Sequence, residues 1–327
     1  MTLLNVDNLS IAYQTRRGLV TAVDSVGFTL ARGRALGLVG ESGCGKTTIG
    51  KALMGLLPSN GIITEGSIQF DGVELAGASE AVLRSVRWDR IAMIFQAAMN
   101  ALNPIHRVGD QVVEALLTHK PDMPKSDAAY RVEELFRLVG IPENRRWDYP
   151  HQYSGGMKQR AVIAMALACS PELIIADEPT TALDVIVQSQ ILKQLKTLQA
   201  DLNISILFIS HDISVVADVC HDIGVMYAGQ LVEYGPRTEV LEHPAHPYTQ
   251  ALLGAFTGLM KENGAPLSVL PGAPPDLAEV GNGCRFCKRC CAADDSCSLE
   301  TPQWVDLSPQ HRVLCCTDGI AEGRAGT

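Results

Sequence analysis

Short apolar runs and amphipathic stretches take turns along the first 240 or so residues. The run ALGLVG (35–40) gives way to helical periodicity from about Lys46. ELIIADE (172–178) leads into the helical stretch VIVQSQILKQLKTL (185–198), and ISILFIS (204–210) precedes another. This alternation predicts an α/β fold: a parallel sheet covered by helices, with ligands held at the carboxyl ends of the strands. From about 97 to 153 the pattern changes to helices and polar loops without buried strands. It includes DAAYRVEELFRLVG (127–140), closed by Gly140 and Pro142, so a helical insertion is expected there. After about 240 the chain turns Pro/Gly-rich, and NGAPLSVLPGAPPDLAEVGNG (263–283) reads as an extended linker. The expected domains are therefore 1–240, with a helical subdomain at about 97–153, and a C-terminal extension at 241–327. There is no internal repeat.

Composition narrows the classes. The 327 residues are 46% hydrophobic, enough for a real core, and carry a formal net charge of -9. That balance argues against a general nucleic-acid binder, which needs a basic face for phosphates. The start, MTLLNVDNLS, has no charged region ahead of a long apolar run. The longest apolar stretches, such as AVIAMALAC and ISILFIS, fall short of the roughly 20 residues that cross a bilayer. A cytoplasmic setting is expected, where clustered cysteines more often mean metal than disulfides.

Residues 40–47 read GESGCGKT, the Walker A pattern, between an apolar strand and a helix. Its glycines let backbone N–H groups wrap phosphates, and the helix N-terminus adds positive potential. Lys46 would reach the terminal phosphates and Thr47 would ligate magnesium. Gly40, Glu41, Ser42, Gly43, Cys44, Gly45, Lys46, Thr47 and Thr48 are thus candidate nucleotide-binding residues; Cys44 reads as a small side chain in a tight turn. ELIIADEP supplies the other half. Its apolar residues drive a buried strand, and Asp177 and Glu178 emerge at its end, where an unpaired charge would be costly without a cation. Asp177 is expected to face magnesium and Glu178 to polarise the attacking water.

YSGGMKQR (153–160), ahead of that strand, resembles the signature of ATP-binding cassette proteins. Gln96 in FQ resembles their Q-loop, Asp184 ending TALD their D-loop, His211 in ISHD their switch histidine, and Tyr13 in LSIAYQT the aromatic that stacks on adenine. Singly, each also reads as an ordinary polar or half-buried residue; together they occur in the family's order. The resemblance implies a P-loop NTPase cassette that works as a dimer with a second cassette, a copy or a paralogue. Ser154, Gly155 and Gly156 of one would close over the ATP of the other, Gln96 and His211 would sense the γ-phosphate, and Gln96 would share magnesium with Thr47 and Asp177.

FQAAMNALNP (95–104), HPYTQALL (246–253) and LPGAPP (270–275) resemble the dipeptide, oligopeptide and nickel importers of that family, with Ala97–Ala98 where many members hold Asp-Pro. His243 and His246 have a metal-like spacing, but the subfamily match explains them as the start of a docking helix. The implied role is an ATPase that powers import of peptides or similar small solutes. Nickel chelates, opines or glutathione-like compounds are the alternatives, and a DNA-repair ATPase is the alternative of another class. The implied partners are two membrane permease subunits and an extracytoplasmic solute-binding protein, without nucleic acid. The implied place is the cytoplasmic face of the inner membrane, as a peripheral subunit.

Seven of the ten cysteines lie between 284 and 316; Cys44, Cys169 and Cys220 are scattered. Members of the subfamily commonly end in a segment that Cys284, Cys290, Cys297 and Cys315 match, with His311 and Val313 ahead of the last. In some members it holds a [4Fe–4S] cluster. Four thiolates suit that cluster or zinc. Cys287, Cys291 and Cys316 are additional, and Cys284, Cys287 and Cys290 alone also form C-x-x-C-x-x-C, so iron–sulfur, zinc and no metal all stand at this point. Its expected role is to pin a short tail that cannot build its own core.

Overall fold

The computed structural model describes residues 1–96, 101–181, 183–260 and 270–316, with residues 255–260 described by their backbone only. In chain order the elements are β1 (Thr2–Thr15), β2 (Gly18–Ala31), β3 (Ala35–Val39), α1 (Lys46–Leu53), β4 (Gly61–Phe70), β5 (Val73–Glu74), α2 (Glu80–Val86), β6 (Ile91–Ile94), α3 (Val108–His119), α4 (Lys125–Leu138), α5 (Gly155–Ala166), β7 (Leu173–Asp177), α6 (Val185–Leu202), β8 (Ser205–Ser210), α7 (Ile213–Val219), β9 (Asp222–Tyr227), β10 (Gln230–Pro236), α8 (Arg237–Glu242), α9 (Pro247–Met260), β11 (Gln303–Ser308) and β12 (His311–Cys315). They divide between two compact units. One comprises residues 2–30, 36–77 and 209–327; the other comprises 31–35 and 78–208 with Met1.

The first unit holds an antiparallel sheet in the order β2-β1-β4-β5. β1 faces β4 with Leu4 opposite Phe70 and Val6 opposite Ile68, all four buried, so alternate side chains line one face. The ladder shifts register between Asp7 and Ile11. Gly66 sits there at φ 87, and a Cβ on it would come within 2.4 Å of the Asn8 carbonyl oxygen; only glycine admits so close a crossing.

The same unit carries β3, whose five residues are all buried. β3 pairs in parallel with β9, from Leu36 opposite Asp222 to Val39 opposite Val225. β10 then pairs antiparallel with β9. The C-terminal segment continues the sheet: β12 adds to β10, with Val313 opposite Glu233, and β11 adds to β12. The parallel reading of the sequence did not include this antiparallel edge. It also expected the tail to lack a core of its own; backbone pairing supplies the anchor, with Val313 and His311 buried under it.

In the second unit β6 and β7 pair in parallel, from Ile91 opposite Leu173 to Ile94 opposite Ala176. Ahead of β7, Glu172 lies between two arginines, Arg32 and Arg90, the latter at 2.6 Å. Burial pushes its carboxyl up, but the two guanidinium hydrogen bonds outweigh this and hold it below the usual carboxylate range. Residues 101–153 form α3, α4 and two 3-10 turns, Glu143–Trp147 and Pro150–Gln152, with no strand. α3 buries Val108, Val112 and Leu116, and α4 buries Ala128, Val132, Leu135 and Phe136, the three-and-four spacing of one helical face. α4 stops because Gly140 takes φ 68. Gly140 N–H donates to Arg137 O and Ile141 N–H to Phe136 O, so two terminal carbonyls are satisfied by the turn.

Candidate functional site

In the first unit, β3 runs directly into the loop 40–45 and α1. Gly40, Gly43 and Gly45 take φ of 156°, 82° and 104°. A Cβ at Gly40 would meet Met226 O at 2.1 Å and one at Gly45 would meet Ala22 O at 2.6 Å, whereas the space at Gly43 is open. The outer glycines therefore let the loop pack against its own unit. Lys46 is only 5% exposed. Its Nζ donates to Gly40 O at 2.6 Å and Glu41 O at 2.9 Å, so the ammonium is held inside the loop by the loop's own carbonyls. Cys44 is buried, which pushes its thiol up, the state of an inert packing residue. Tyr13 and Thr48 hydroxyls lie 3.2 Å apart, and the Tyr13 ring lies against Gly61, where a Cβ would come within 2.8 Å. Tyr13 is thus beside the first turn of α1. His211 is exposed, and the next residue, Asp212, caps α7 by accepting from Ser214 N–H at 2.8 Å.

The second unit gathers another set. β7 buries Leu173 through Asp177 completely, and Glu178 follows with φ 47, a left-handed conformation that a non-glycine residue adopts at some cost. Gln96 Nε2 donates to Glu178 Oε2 at 3.0 Å, and the Thr181 hydroxyl donates to the same oxygen at 2.9 Å. Ser154 caps α5 by accepting from Met157 N–H, and Asp184 caps α6 by accepting from Val187 N–H at 2.9 Å. Gly156 packs close to α6, since a Cβ there would meet Val187 Cγ1 at 2.8 Å. Ser154 and Gly155 are exposed. Ala97 and Ala98, and Ala182 within TALD, lie outside the described residues.

Sequence reasoning missed a group behind the phosphate loop. Arg289 sends two hydrogen bonds to the Glu41 carboxylate, 2.7 and 3.0 Å, and one each to Tyr227 OH and Pro271 O. Tyr248 OH accepts from Glu41 N–H at 3.0 Å. Tyr227, Tyr248 and Phe286 pack ring on ring at 4.8 to 5.5 Å, with His246 beside Phe286. His246 is buried, which pushes its pKa down to about 4, and its Nδ1 accepts from Tyr248 N–H. This histidine opens α9 instead of meeting a metal with the exposed His243. The available signal was the HPY triplet itself, since histidine, proline and tyrosine at a helix start bring a cap and an aromatic together.

Comparison with known proteins agrees with this geometry. A family model described as ABC transporter matches residues 23–181, and one described as oligopeptide/dipeptide transporter, C-terminal region, matches 232–297. The dipeptide transport ATP-binding protein DppD of Bacillus subtilis is 46% identical over 95% of this chain and 93% of its own length. The oligopeptide transport ATP-binding protein OppD of Salmonella typhimurium is 46% identical over 98% and 95%. The chain belongs to the ABC transporter family, as an ATP-binding subunit. Among solved structures, the ATP-binding cassette MJ0796, a dimer bound to ADP and Pi, matches with a TM-score of 0.64 at 26% identity, over 72% of this chain and 98% of that one. Clostridium perfringens cbiO1, part of a transporter complex, matches with 0.64 at 29%, over 74% and 91%. The α/β cassette fold expected from the motifs is therefore the fold of this ABC subunit. No described helix is long and apolar enough to cross a membrane.

The residues of the phosphate loop fit a nucleotide phosphate: nothing crowds the space at Gly43, and the buried Lys46 ammonium is held only by neutral backbone carbonyls of Gly40 and Glu41 among its oxygen partners, which a phosphate oxygen can replace. The cysteines do not fit a metal in the same way. Among the described residues no three His, Cys, Asp or Glu side chains are disposed as a metal-ligand group, so Cys284, Cys290, Cys297 and Cys315 are not gathered as the spacing suggested. Burial pushes Cys284 up to about 11 and Cys316 up to about 12, and neighbouring cysteines push the same way. Backbone bonds order the segment instead, among them Cys284 N–H to Cys297 O at 2.8 Å. His311, four residues ahead of Cys315 in the motif, faces Glu233 at 2.8 Å, both fully buried.

Proposed function

We propose that this subunit hydrolyses ATP to power import of dipeptides or oligopeptides through a separate membrane permease. The observation that carries the reading is the likeness along nearly the whole chain to subunits named for dipeptide and oligopeptide transport, at 46% identity, including the C-terminal region that distinguishes such subunits.

The roles follow from the residues. The loop 40–45 and α1 cradle phosphates, Lys46 exchanges the Gly40 and Glu41 carbonyls for phosphate oxygens, and Tyr13 takes the adenine face. Thr47, Asp177 and Gln96 would hold magnesium, which neutralises phosphate charge when bound. Glu178 accepts a proton from the attacking water, oriented by Gln96 and Thr181. His211 and Gln96 sense the terminal phosphate. Ser154, Gly155 and Gly156 present an exposed helix start to the ATP of a second cassette, with Asp184 beside that contact. Closure of the cassette pair at the cytoplasmic face then drives the permease, and a solute-binding protein delivers the peptide.

The contact with the permease belongs to the helical segment after Gln96. Leu102 is buried at 4% exposure, whereas Ile105 is 75% exposed, so Ile105 is the apolar residue offered for docking. The metal reading, a [4Fe–4S] cluster or zinc on Cys284, Cys290, Cys297 and Cys315, rests on sequence spacing alone. The test of the function is ATPase activity of the complex in liposomes. Loaded peptide-binding protein should stimulate it; stimulation by DNA and not by permease would replace the import reading.

A further inference from the structure

The cysteine-rich turn reaches the phosphate loop through one side chain. Arg289 lies between Cys287 and Cys290, and its side chain is 6% exposed. Its Nη1 and Nη2 meet the two Glu41 carboxylate oxygens at 2.7 and 3.0 Å, a fork-on-fork pair that is both strong and directional. The guanidinium is itself fixed: Nε donates to Pro271 O at 2.8 Å, Nη1 also reaches Tyr227 OH at 3.2 Å, and its centre stands 5.6 Å over the Tyr227 ring.

Glu41 is the second residue of the loop and is gripped at three points. Its carboxylate meets Arg289, its N–H donates to Tyr248 OH, and its carbonyl accepts from Lys46. Lys46 cannot serve the Glu41 carbonyl and a phosphate oxygen with the same donors. When it changes partner, Glu41 loses one of its three anchors, and the remaining two come from the C-terminal region. A loop that keeps its shape through that exchange binds phosphate without first being reordered.

Resting on the reading of this loop as the ATP site, we propose that Arg289 is a positioning residue for the phosphate loop, acting through Glu41, so that the cysteine-rich turn sets how tightly the subunit holds nucleotide. Arg289 touches no reacting atom. Its effect is on binding: loss of the contact weakens Mg–ATP affinity and leaves the chemical step alone.

The experiment uses the full-length chain for equilibrium binding of Mg–ATP and the reconstituted transporter for kinetics. Arg289→Ala and Glu41→Gln should each raise the Kd and the KM by about tenfold, the scale of a lost charged hydrogen-bond pair, and Arg289→Ala should keep kcat within about twofold of wild type. The double variant should be no weaker than either single, because both remove one contact. Arg289→Lys, which keeps charge but not the fork, should fall between. Glu41→Gln leaves Arg289 its contacts to Pro271 and Tyr227, and an unchanged melting temperature of this variant separates an effect on the loop from a loosened tail. Should Arg289→Ala not fold, Glu41→Gln and Arg289→Lys decide the matter by the same KM shift. Wild-type affinity in Glu41→Gln, an additive double variant, or loss of kcat with KM unchanged would overturn the inference. If the wild-type chain itself failed to bind Mg–ATP, the nucleotide reading would fall, and the inference with it.

Discussion

Gln96 and Glu178 meet at 3.0 Å, amide to carboxylate, at the end of a fully buried strand. They are 82 positions apart in the chain, and β6 and β7 bring them together by running in parallel. Glu178→Gln keeps the size of the side chain and an oxygen to accept from Gln96, but removes the charge that takes a proton. ATP binding should persist while turnover falls by about 10²–10⁴-fold, the usual worth of a general base. Steady-state ATPase measured beside equilibrium binding checks this, and near-normal turnover would remove Glu178 from the role.

Two neighbouring residues should separate docking from folding. Ile105→Asp alters an exposed apolar side chain, so Mg–ATP binding should be unchanged while peptide-stimulated ATPase of the reconstituted transporter drops by about tenfold or more, as for an interface anchor. Leu102→Asp instead buries an unpaired charge, and should cost several kcal/mol of stability. Thermal melting of the two purified variants distinguishes them; equal stimulation in Ile105→Asp would place the permease contact elsewhere.

Glu233 supports the C-terminal region from inside. It accepts from His311 Nε2 at 2.8 Å and from the N–H groups of Ala245 and His246 at 2.9 Å each. Glu233→Leu strands those donors in a buried site and should destabilise by about 3–5 kcal/mol, whereas Glu233→Gln, which keeps an acceptor, should cost less. Urea unfolding followed by fluorescence of the chain gives the comparison. An unchanged midpoint in Glu233→Leu would show that the pairing does not hold the region.

Metal analysis decides the cysteines. If Cys284, Cys290, Cys297 and Cys315 take up a cluster, anaerobically purified protein should be brown, with about four irons and matching sulfide per chain. About one zinc in colourless protein would select the tetrahedral alternative. Alanine at Cys284 or Cys297 should empty the site, and alanine at Cys316 should not. Protein free of both metals would leave the segment held by backbone pairing, by Phe286 against Tyr227 and Tyr248, and by Arg285, Arg289 and His311.

Local patterns determined much of this subunit. Gly40, Gly43 and Gly45 before Lys46 announced a left-handed, backbone-lined loop because few other residues enter those conformations. LIIAD announced a buried strand, and the three-and-four spacing of Val132, Leu135 and Phe136 a helix ended by Gly140. Gln96, Ser154, Asp184 and His211 were recognisable by their order, and the caps at Ser154 and Asp184 follow from chemistry a few residues wide.

What the sequence by itself determined, then, is whatever depends on neighbours along the chain: strands, helices, caps and the phosphate loop. Only the tertiary structure decided which distant residues share a site. No periodicity links Arg289 to Glu41, 248 positions apart, or places Val313 of β12 opposite Glu233 of β10. The same holds for Leu102 and Ile105, three residues apart but buried and exposed respectively. Such pairings come from burial of shared surface and from the geometry of the sheet edge, which are properties of the assembled chain. The cysteines mark the boundary: their spacing is local, but what lies beside them, such as the Cys297 carbonyl that accepts from Cys284 N–H, is set by the folded segment.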